Sequence, residues 1–266
     1  MSTKKVSIIM GVYNCEATLK EAIDSIINQT YQNWEFVICD DGSSDKSFEI
    51  VKQYADSDNR FVVIQNDTNL GLNKTLNKCL KYATGEYIAR MDGDDISLPD
   101  RFEKELTFLC SHPEYAIVSC PMILFDEQGD YSFGYAIESP TKEDVVCGSP
   151  ICHAPVMMQK AALLAVNGYS EDSYTQRVED VDLWIRLYCA GYKAYNLPEQ
   201  LYKMRNGRDA FSRRKYKYRI NSVNVRHKGC KALNLPIRYY FKSSMPMVVG
   251  LVPKRICQII KNHQRK

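Results

Sequence analysis

Apolar residues in the first half of the chain form short continuous runs, separated by stretches in which they recur every three or four positions. The runs have the length and composition of buried strands: residues 6–12, 36–39, 61–65 and 87–91. The stretches between them have the spacing of one helix face: residues 19–27, 46–54 and 72–82. This alternation predicts an α/β fold with a mainly parallel central sheet and helices on both faces.

Local signals place further helices and strands. Thr18 and Glu21 have the spacing of a capping box at the start of the first helix, and Pro99 marks a helix that continues to about Cys110. The second half is less regular. It predicts strands at 115–124 and 156–158, a turn-rich insertion at 129–150, a helix at 160–166 that stops at Gly168, and a helix after Asp180.

Three carboxylates follow the fourth apolar run within four positions: Asp92, Asp94 and Asp95. Like charges so close repel unless a cation or bound hydrogens offset them. Oxygen ligands on a short loop suit Mg²⁺ or Mn²⁺, and Mg²⁺ is usually held by one or two carboxylates plus substrate phosphates. The run therefore indicates either a metal site for a phosphate-bearing substrate or a solvated turn. An EF-hand is excluded, because Ser97 stands where that loop requires glycine.

Tyr13, Asp41 and Asp92 each follow a predicted parallel strand. Ligands of open α/β sheets bind at the carboxyl ends of the strands, so we expect these residues to converge on one crevice. Neither a Gly-x-Gly-x-x-Gly pattern nor a Walker-type loop follows the first strand. The sequence thus argues against a dinucleotide oxidoreductase or an ATPase.

Composition is that of one large α/β domain, with 266 residues and 45% hydrophobic content. Ten cysteines without a Cys-x-x-Cys pair indicate reduced thiols and predict a cytoplasmic protein. The longest apolar candidate, residues 245–252, contains a proline and is too short to span a bilayer.

Charge is distributed unevenly along the chain. Residues 201–266 contain 18 Lys or Arg and one acid, whereas the first 200 residues contain 17 bases and 31 acids. The basic end should attract anions, and without a nucleic-acid-reading motif we expect no nucleic acid partner. Apolar residues, Ile237, Tyr240 and Phe241 among them, interleave with bases beyond about Leu233. This pattern predicts a peripheral segment on an anionic membrane surface, broken by Pro246 and Pro253; the alternative is packing on the catalytic domain or a second subunit, as in a homodimer.

Four segments in order are similar to family 2 of the inverting, nucleotide-sugar-dependent glycosyltransferases: residues 5–14, 34–45, 85–101 and 178–186. The resemblance, which runs from about residue 5 to 204, implies the Rossmann-like GT-A fold in a catalytic domain at 1–205, followed by a basic helical extension at 206–266. It implies Mn²⁺- or Mg²⁺-dependent transfer of a sugar, with UDP the favoured nucleotide. The implied acceptor is a hydroxyl of a glycan or lipid-linked oligosaccharide, as in bacterial surface polysaccharides.

The resemblance also implies site roles. Asp180 matches the catalytic base and Glu179 a group that holds the acceptor, although a helix N-terminus also favours acids. Asp94 matches a metal ligand, and Asp92 a contact to the ribose or the metal, while Asp95 could cap the next segment. The positions that match nucleotide contacts are Gly11, Val12, Tyr13, Asp41 and Asp92, of which Asp41 would accept a hydrogen bond from uracil. Tyr13 could instead belong to the core, and Asp41 to an ordinary turn.

Several basic residues and one histidine match the acceptor or phosphate side. His153 matches a polar acceptor-side position or is a structural histidine. Lys203 and Arg205 stand where relatives carry Tyr-Arg-x-His, and since the histidine is missing here, Arg205 is the candidate phosphate ligand. Three further arginines could clamp the diphosphate or be surface charge: Arg208, Arg213 and Arg214.

Two alternatives stay open at this point. A nucleotidyltransferase shares a related fold and metal chemistry, but residues 12–15 lack its Gly-rich loop with a basic residue. A catalytically inactive glycan-assembly partner would not need Asp92, Asp94 and Asp180 together.

Overall fold

A computed structural model describes residues 4–206 and 216–247. Its helices and strands follow in chain order: β1 (Val6–Val12), α1 (Leu19–Ile27), β2 (Trp34–Asp40), α2 (Ser47–Ser57), β3 (Phe61–Gln65), α3 (Leu72–Tyr82), β4 (Tyr87–Arg90), β5 (Ile96–Ser97), α4 (Arg101–Ser111), β6 (Ile117–Ser119), β7 (Met122–Asp126), β8 (Gly129–Phe133), α5 (Lys142–Cys147), β9 (Met157–Gln159), α6 (Lys160–Ala165), a 3₁₀ turn (Ser173–Thr175), α7 (Glu179–Cys189), β10 (Ala194–Asn196), β11 (Tyr202–Arg205), α8 (Tyr216–Ala232) and α9 (Ile237–Ser243).

Seven strands form the central sheet in the order β10-β6-β9-β4-β1-β2-β3. Neighbours are parallel except β9, which runs antiparallel to β4 and β6. Alternate residues of β1 enter different cores: Ile8 and Met10 pack with α1, α2 and α4, whereas Ile9 packs with α3 and α5 to α8. Both sheet faces are covered, which explains why the strands are apolar throughout. The predicted α/β fold class is confirmed.

The strand predicted at 115–124 is wrong in its extent. Ile117–Ser119 forms β6 of the central sheet, whereas Met122–Asp126 forms β7 of a separate four-stranded sheet, β5-β11-β7-β8. Pro121 lies between them and has no N–H to donate to a ladder. The chain leaves one sheet there and enters the other.

The predicted capping box at the start of α1 is also wrong. Thr18 is the N-cap but caps no backbone N–H with its side chain. Its hydroxyl donates to the Gly93 carbonyl at 2.9 Å, and Glu21 pairs with Arg205. Both side chains are therefore used in long-range contacts that join α1 to the acidic loop after β4 and to β11.

The C-terminal helices pack on the α/β body. Gly229 of α8 lies so close to α7 that a Cβ there would meet the Ile185 Cδ1 atom at 2.6 Å. Val225 and Cys230 join the core that also contains Ile9. Among residues 4–206 and 216–247, no helix has the length and apolar character needed to cross a bilayer. The three arginines at 208, 213 and 214, and Pro253, lie outside the described residues.

Glu35 links three segments at the opposite end of the sheet from the acidic loop. Its carboxylate is buried and accepts hydrogen bonds from Lys5 Nζ at 2.6 Å, from the Ser7 hydroxyl and from the Thr84 backbone and side chain. Burial alone would raise the pKa of Glu35, but these donors outweigh it and lower the pKa to about 2.

We expect Glu35→Gln to reduce the free energy of unfolding at neutral pH by about 3 kcal/mol. Because the folded-state pKa lies below that of the unfolded chain, this stabilisation is present above about pH 4.5 and is lost as the pH falls towards 2. Urea titrations of both proteins at several pH values measure it. Glu86→Gln, which removes an exposed pair with Lys4, is the matched control and should change little. If the loss of unfolding free energy in Glu35→Gln did not change with pH, the expectation would be contradicted.

Candidate active site

Direct hydrogen bonds join the loops that follow β1, β2 and β4. The Asp41 N–H donates to the Val12 carbonyl at 2.7 Å, and Asn14 Oδ1 accepts from the Ser44 N–H at 2.9 Å. Asn14 has a left-handed backbone, with φ of 52°. The loop after β4 is joined to the loop after β1 because the Gly93 carbonyl accepts a hydrogen bond from the Thr18 hydroxyl. The carboxyl ends of the three strands therefore form one continuous rim, as the parallel order requires.

A cavity of about 470 Å³ opens at this rim. Five residues predicted from the sequence line it: Gly11, Val12, Tyr13, Asp41 and Glu179. The N-terminal part of α3 and residues 171–177 supply the opposite wall. Tyr13 is 48% exposed, so its alternative placement in the core is wrong.

Asp41 is buried and already holds the loop before α3. Its carboxylate accepts from Asn66 Nδ2 at 2.8 Å and from the N–H groups of Leu70 and Gly71, both at 2.9 Å. Gly71 takes φ of 89°, a conformation that favours glycine. A carboxylate has about four lone-pair sites, so one acceptor position is left for a ligand N–H.

Asp92 is paired with a buried arginine. Arg90, 5% exposed, donates from Nη2 to Asp92 Oδ1 at 2.6 Å, while its Nε has no hydrogen-bond partner among the described residues. Burial opposes the charge, but attraction to Asp92 and to other groups including Glu179 outweighs it and raises the pKa of Arg90. Arg90 thus compensates part of the acidic charge in this region.

The rest of the acidic loop carries more negative charge than its surroundings neutralise. Burial, then repulsion from Asp92, raises the pKa of Asp94. The same effects, with Asp94 added, raise the pKa of Asp95 to about 8. Asp95 is almost fully buried and accepts from the Arg205 N–H at 2.8 Å, which fastens the loop to β11.

The excess negative charge of the acidic loop would attract a divalent cation, but the protein alone supplies few ligands for one. Within the described ranges, no three His, Cys, Asp or Glu side chains converge as a metal site. Asp94 and Asp92 are the available carboxylates, and one oxygen of Asp92 is engaged by Arg90. One or two carboxylates suffice for Mg²⁺ when substrate phosphates complete the shell. The residues therefore fit a cation that binds together with a diphosphate.

The N-terminus of α7 brings two more carboxylates. Burial, then Asp180, raises the pKa of Glu179. Asp180 is partly buried and accepts no hydrogen bond from the described residues. Burial raises the pKa of Tyr169; Arg90 opposes the effect, and Asp92, Glu179 and Asp180 add to it. The end of β4 is linked to α7 by packing: the Arg90 N–H donates to the Val156 carbonyl at 2.9 Å, and the nearby ring of His153 lies 5.7 Å from that of Trp184.

The remaining predicted residues, His153, Lys203 and Arg205, do not line the cavity. His153 Nε2 lies 3.0 Å from the Tyr169 hydroxyl, and burial lowers the pKa of His153 well below its usual value. These contacts favour the structural alternative for His153 over the acceptor-side one. Arg205 lies at the acidic loop and donates to the Asp94 carbonyl at 3.0 Å, whereas Lys203 pairs with Asp130 at 2.8 Å and does not line the cavity.

Sequence reasoning missed three cations at the site. Arg90 could have been noticed, because a charge inside an otherwise apolar strand needs a buried partner. Lys74 and Arg177 line the cavity, and Arg177 takes φ of 65°, which the sequence does not reveal for a residue other than glycine.

Comparison with known proteins identifies the family. The sequence model of Glycosyl transferase family 2 matches residues 7–162, more than half of the chain. Putative glycosyltransferase EpsE of Bacillus subtilis (strain 168) is 43% identical over 256 residues, which are 96% of this chain and 92% of EpsE. WfaP of Escherichia coli, a UDP-Glc:alpha-D-GlcNAc-diphosphoundecaprenol beta-1,3-glucosyltransferase, is 28% identical over 225 residues, 83% of this chain and 84% of WfaP.

Among solved structures, S. aureus TarS 1–349 in complex with UDP-GlcNAc has the same fold. Its TM-score is 0.70 at 20% identity, over 92% of this chain and 71% of that one. The GT-A fold expected from the four motifs is thereby confirmed. The chain belongs to glycosyl transferase family 2.

Proposed function

We propose that this glycosyltransferase carries out a metal-dependent, inverting transfer of a hexose from a UDP-sugar to a hydroxyl of a glycan or lipid-linked oligosaccharide. The observation that carries the proposal is the cavity itself. It is lined by Asp41 at one end of the rim and by Glu179 of α7. The acidic loop does not line it but follows β4, whose end is bonded to β1 through the Met91 N–H and the Ile9 carbonyl. Asp41 suits a nucleotide base, the acidic loop suits a cation with its diphosphate, and the start of α7 suits an acceptor oxygen.

The donor is assigned from the free acceptor position on Asp41 and from the relatives. A buried carboxylate oxygen next to Tyr13 favours a base that offers an N–H, as the uracil ring does. The loop that Asp41 holds would then fix the wall against which the base lies. TarS has been solved with UDP-GlcNAc, and WfaP uses UDP-Glc, which supports UDP over other nucleotides.

In this mechanism Asp180 takes the proton of the acceptor hydroxyl as that oxygen attacks the anomeric carbon from the side opposite the leaving diphosphate. Glu179, which lines the cavity, would hold the acceptor in line. Asp94, with Asp92, would hold Mn²⁺ or Mg²⁺, which would supply positive charge next to the UDP leaving group. Arg90 would keep Asp92 in position through its hydrogen bond. Because the cation would compensate the charge of the leaving group, no protein acid is needed to protonate it.

The acceptor is inferred from a relative and from the distribution of charge along the chain. The WfaP acceptor is a diphosphoundecaprenol-linked sugar, which supports a lipid-linked acceptor here and a peripheral position at the cytoplasmic face of the membrane. In such a position the acidic catalytic body would face the nucleotide-sugar pool, and the basic C-terminal end would face the lipid.

Calorimetry with UDP tests the nucleotide site and the metal together. We expect binding with Mn²⁺ that Asp94→Ala weakens by roughly tenfold or more, and little difference between the two proteins in EDTA, because cation and diphosphate bind as one unit. Asp130→Ala, which removes a carboxylate outside the cavity, is the control. A panel of nucleotide-sugars, scored for release of free nucleotide, then identifies the donor.

Equal losses of UDP affinity with Mn²⁺ and in EDTA would assign Asp94 a structural role. Release of pyrophosphate from nucleoside triphosphates, with no nucleotide-sugar turned over, would instead favour the nucleotidyltransferase. Tight UDP binding without turnover of any donor would favour an inactive assembly partner.

A further inference from the structure

The outer face of α9 carries large apolar side chains that no described residue covers. Ile237 is 69% exposed and Phe241 74%, and Met245, just beyond the helix, is 53% exposed. Ile237 and Phe241 are four positions apart and lie on the same side of α9, and Met245 follows two residues after the helix ends. We refer to Ile237, Phe241 and Met245 as the α9 stripe.

The opposite face of α9 holds the helix in place. Ser243 is fully buried, and Tyr240 packs against the core that contains Val225 and Cys230. His227 Nε2 of α8 lies 3.1 Å from the Tyr240 carbonyl and 2.9 Å from the Ser244 hydroxyl. Tyr240 therefore faces the protein and is not one of the exposed anchors that the sequence suggested. The α9 stripe faces outward because its own helix is fastened from behind.

The surroundings of the α9 stripe are strongly basic. Residues 216–247 contain seven Lys or Arg and no acid. Lys231, Arg238 and Lys242 are exposed, and the last two lie within 5.5 Å of the Tyr239 ring, beside the stripe. An apolar row bordered by cations matches a surface with an apolar interior and an anionic boundary. An anionic lipid bilayer has both properties.

We propose that the α9 stripe inserts into the boundary region of an anionic membrane while Lys231, Arg238 and Lys242 contact lipid headgroups. The catalytic body then lies against the bilayer without crossing it. The purpose of this docking rests on the proposed function, since a lipid-linked acceptor is presented at such a surface. The docking itself is measurable without any donor or acceptor.

Flotation of the full-length chain with vesicles tests the proposal. We expect the protein to float with phosphatidylglycerol–phosphatidylcholine vesicles at low salt, to detach at high salt, and to ignore phosphatidylcholine alone. Phe241→Glu should lower the partition coefficient at least about tenfold, because it puts a charge where the proposal has an exposed apolar ring entering the membrane. Lys242→Gln should lower it about fivefold. Leu164→Glu, at a half-exposed position on α6, is the matched control and should float like wild type.

Two results would overturn the proposal. One is wild-type protein that ignores anionic vesicles at low salt; the other is Phe241→Glu that floats as wild type does. Self-association seen by ultracentrifugation and abolished by Phe241→Glu, without vesicle binding, would show that a second copy of the chain covers the stripe. UDP calorimetry on the same variants separates the two proposals: vesicle binding without any nucleotide binding would leave the docking standing and overturn the UDP-sugar site.

Discussion

Asp180→Asn should reduce sugar transfer by about 10²–10⁴-fold while UDP binding stays close to wild type. The amide has the same shape as the carboxylate but cannot take the acceptor proton. Asp180 does not line the cavity that contains Asp41, so the nucleotide contacts are expected to survive. Donor turnover with the sugar identified by the panel, measured beside UDP calorimetry, gives both quantities.

Asp182→Asn is the matched control, because it removes the same charge from the same first turn of α7. Asp182 pairs with Arg186, which in turn donates to the carbonyls of Val166 and Gly168. We expect some loss of thermal stability from this change and turnover within a few-fold of wild type. Near wild-type turnover in Asp180→Asn would remove Asp180 as the base, and Glu179→Gln would then be the next variant to measure.

The second large effect concerns the ion pair beneath the acidic loop. Arg101 and Glu105 are both fully buried, with Nε 3.2 Å from Oε2, and Arg101 also donates to the Arg90 carbonyl at 3.0 Å. Its guanidinium lies against the ring of Tyr202. We expect Arg101→Met to lower the free energy of unfolding by about 3–5 kcal/mol, because it leaves a buried carboxylate without its partner. Denaturant unfolding measures the loss.

The pH dependence of that loss follows from Glu105. Burial raises the pKa of Glu105 to about 7 even with Arg101 beside it. Arg101 lowers the pKa of Glu105, so this pKa should rise further in Arg101→Met. Stability is lost as the pH rises through a raised folded-state pKa. The variant should therefore continue to lose stability above about pH 7, where the wild type has stopped, and the difference between them should widen. The double variant Arg101→Met/Glu105→Leu should recover most of the stability, since it removes both charges. Lys104→Met, which breaks exposed pairs on the same helix, should cost less than about 1 kcal/mol. An Arg101→Met deficit no larger than that of Lys104→Met would contradict the expectation.

Much of the architecture follows from local patterns. The bounds of β1, β3 and α3 agree with the predicted ones, because a continuous apolar run or an amphipathic stretch has one low-energy placement against a large core. Strand order at the carboxyl ends then brings Tyr13 and Asp41 to one cavity, as expected, whereas Asp92, which was expected at the same crevice, does not line it. Gly168 ends α6 with φ of 66°, which its position after an apolar helix also predicted.

Contacts between distant segments could not be predicted from local sequence patterns. Thr18 and Glu21 look like a local cap, but Gly93 and Arg205 offer them stronger tertiary partners. Lys203 looks like a phosphate ligand until Asp130, 73 positions away, is placed beside it. The stretch at 115–124 reads as one strand, since periodicity does not record which sheet a residue joins.

The sequence by itself determined the fold class, the order of strands and helices, the family, and the positions of the acidic groups around residues 92 and 180. The tertiary structure decided how those charges are compensated: Arg90 lies under Asp92, and Arg101 is buried against Glu105 although an i,i+4 pair usually lies on a helix surface. It also decided that Tyr240 faces inward while Phe241 faces outward. The reason is that periodicity and propensity are properties of neighbouring residues, whereas burial and charge compensation depend on which distant segments the core brings together.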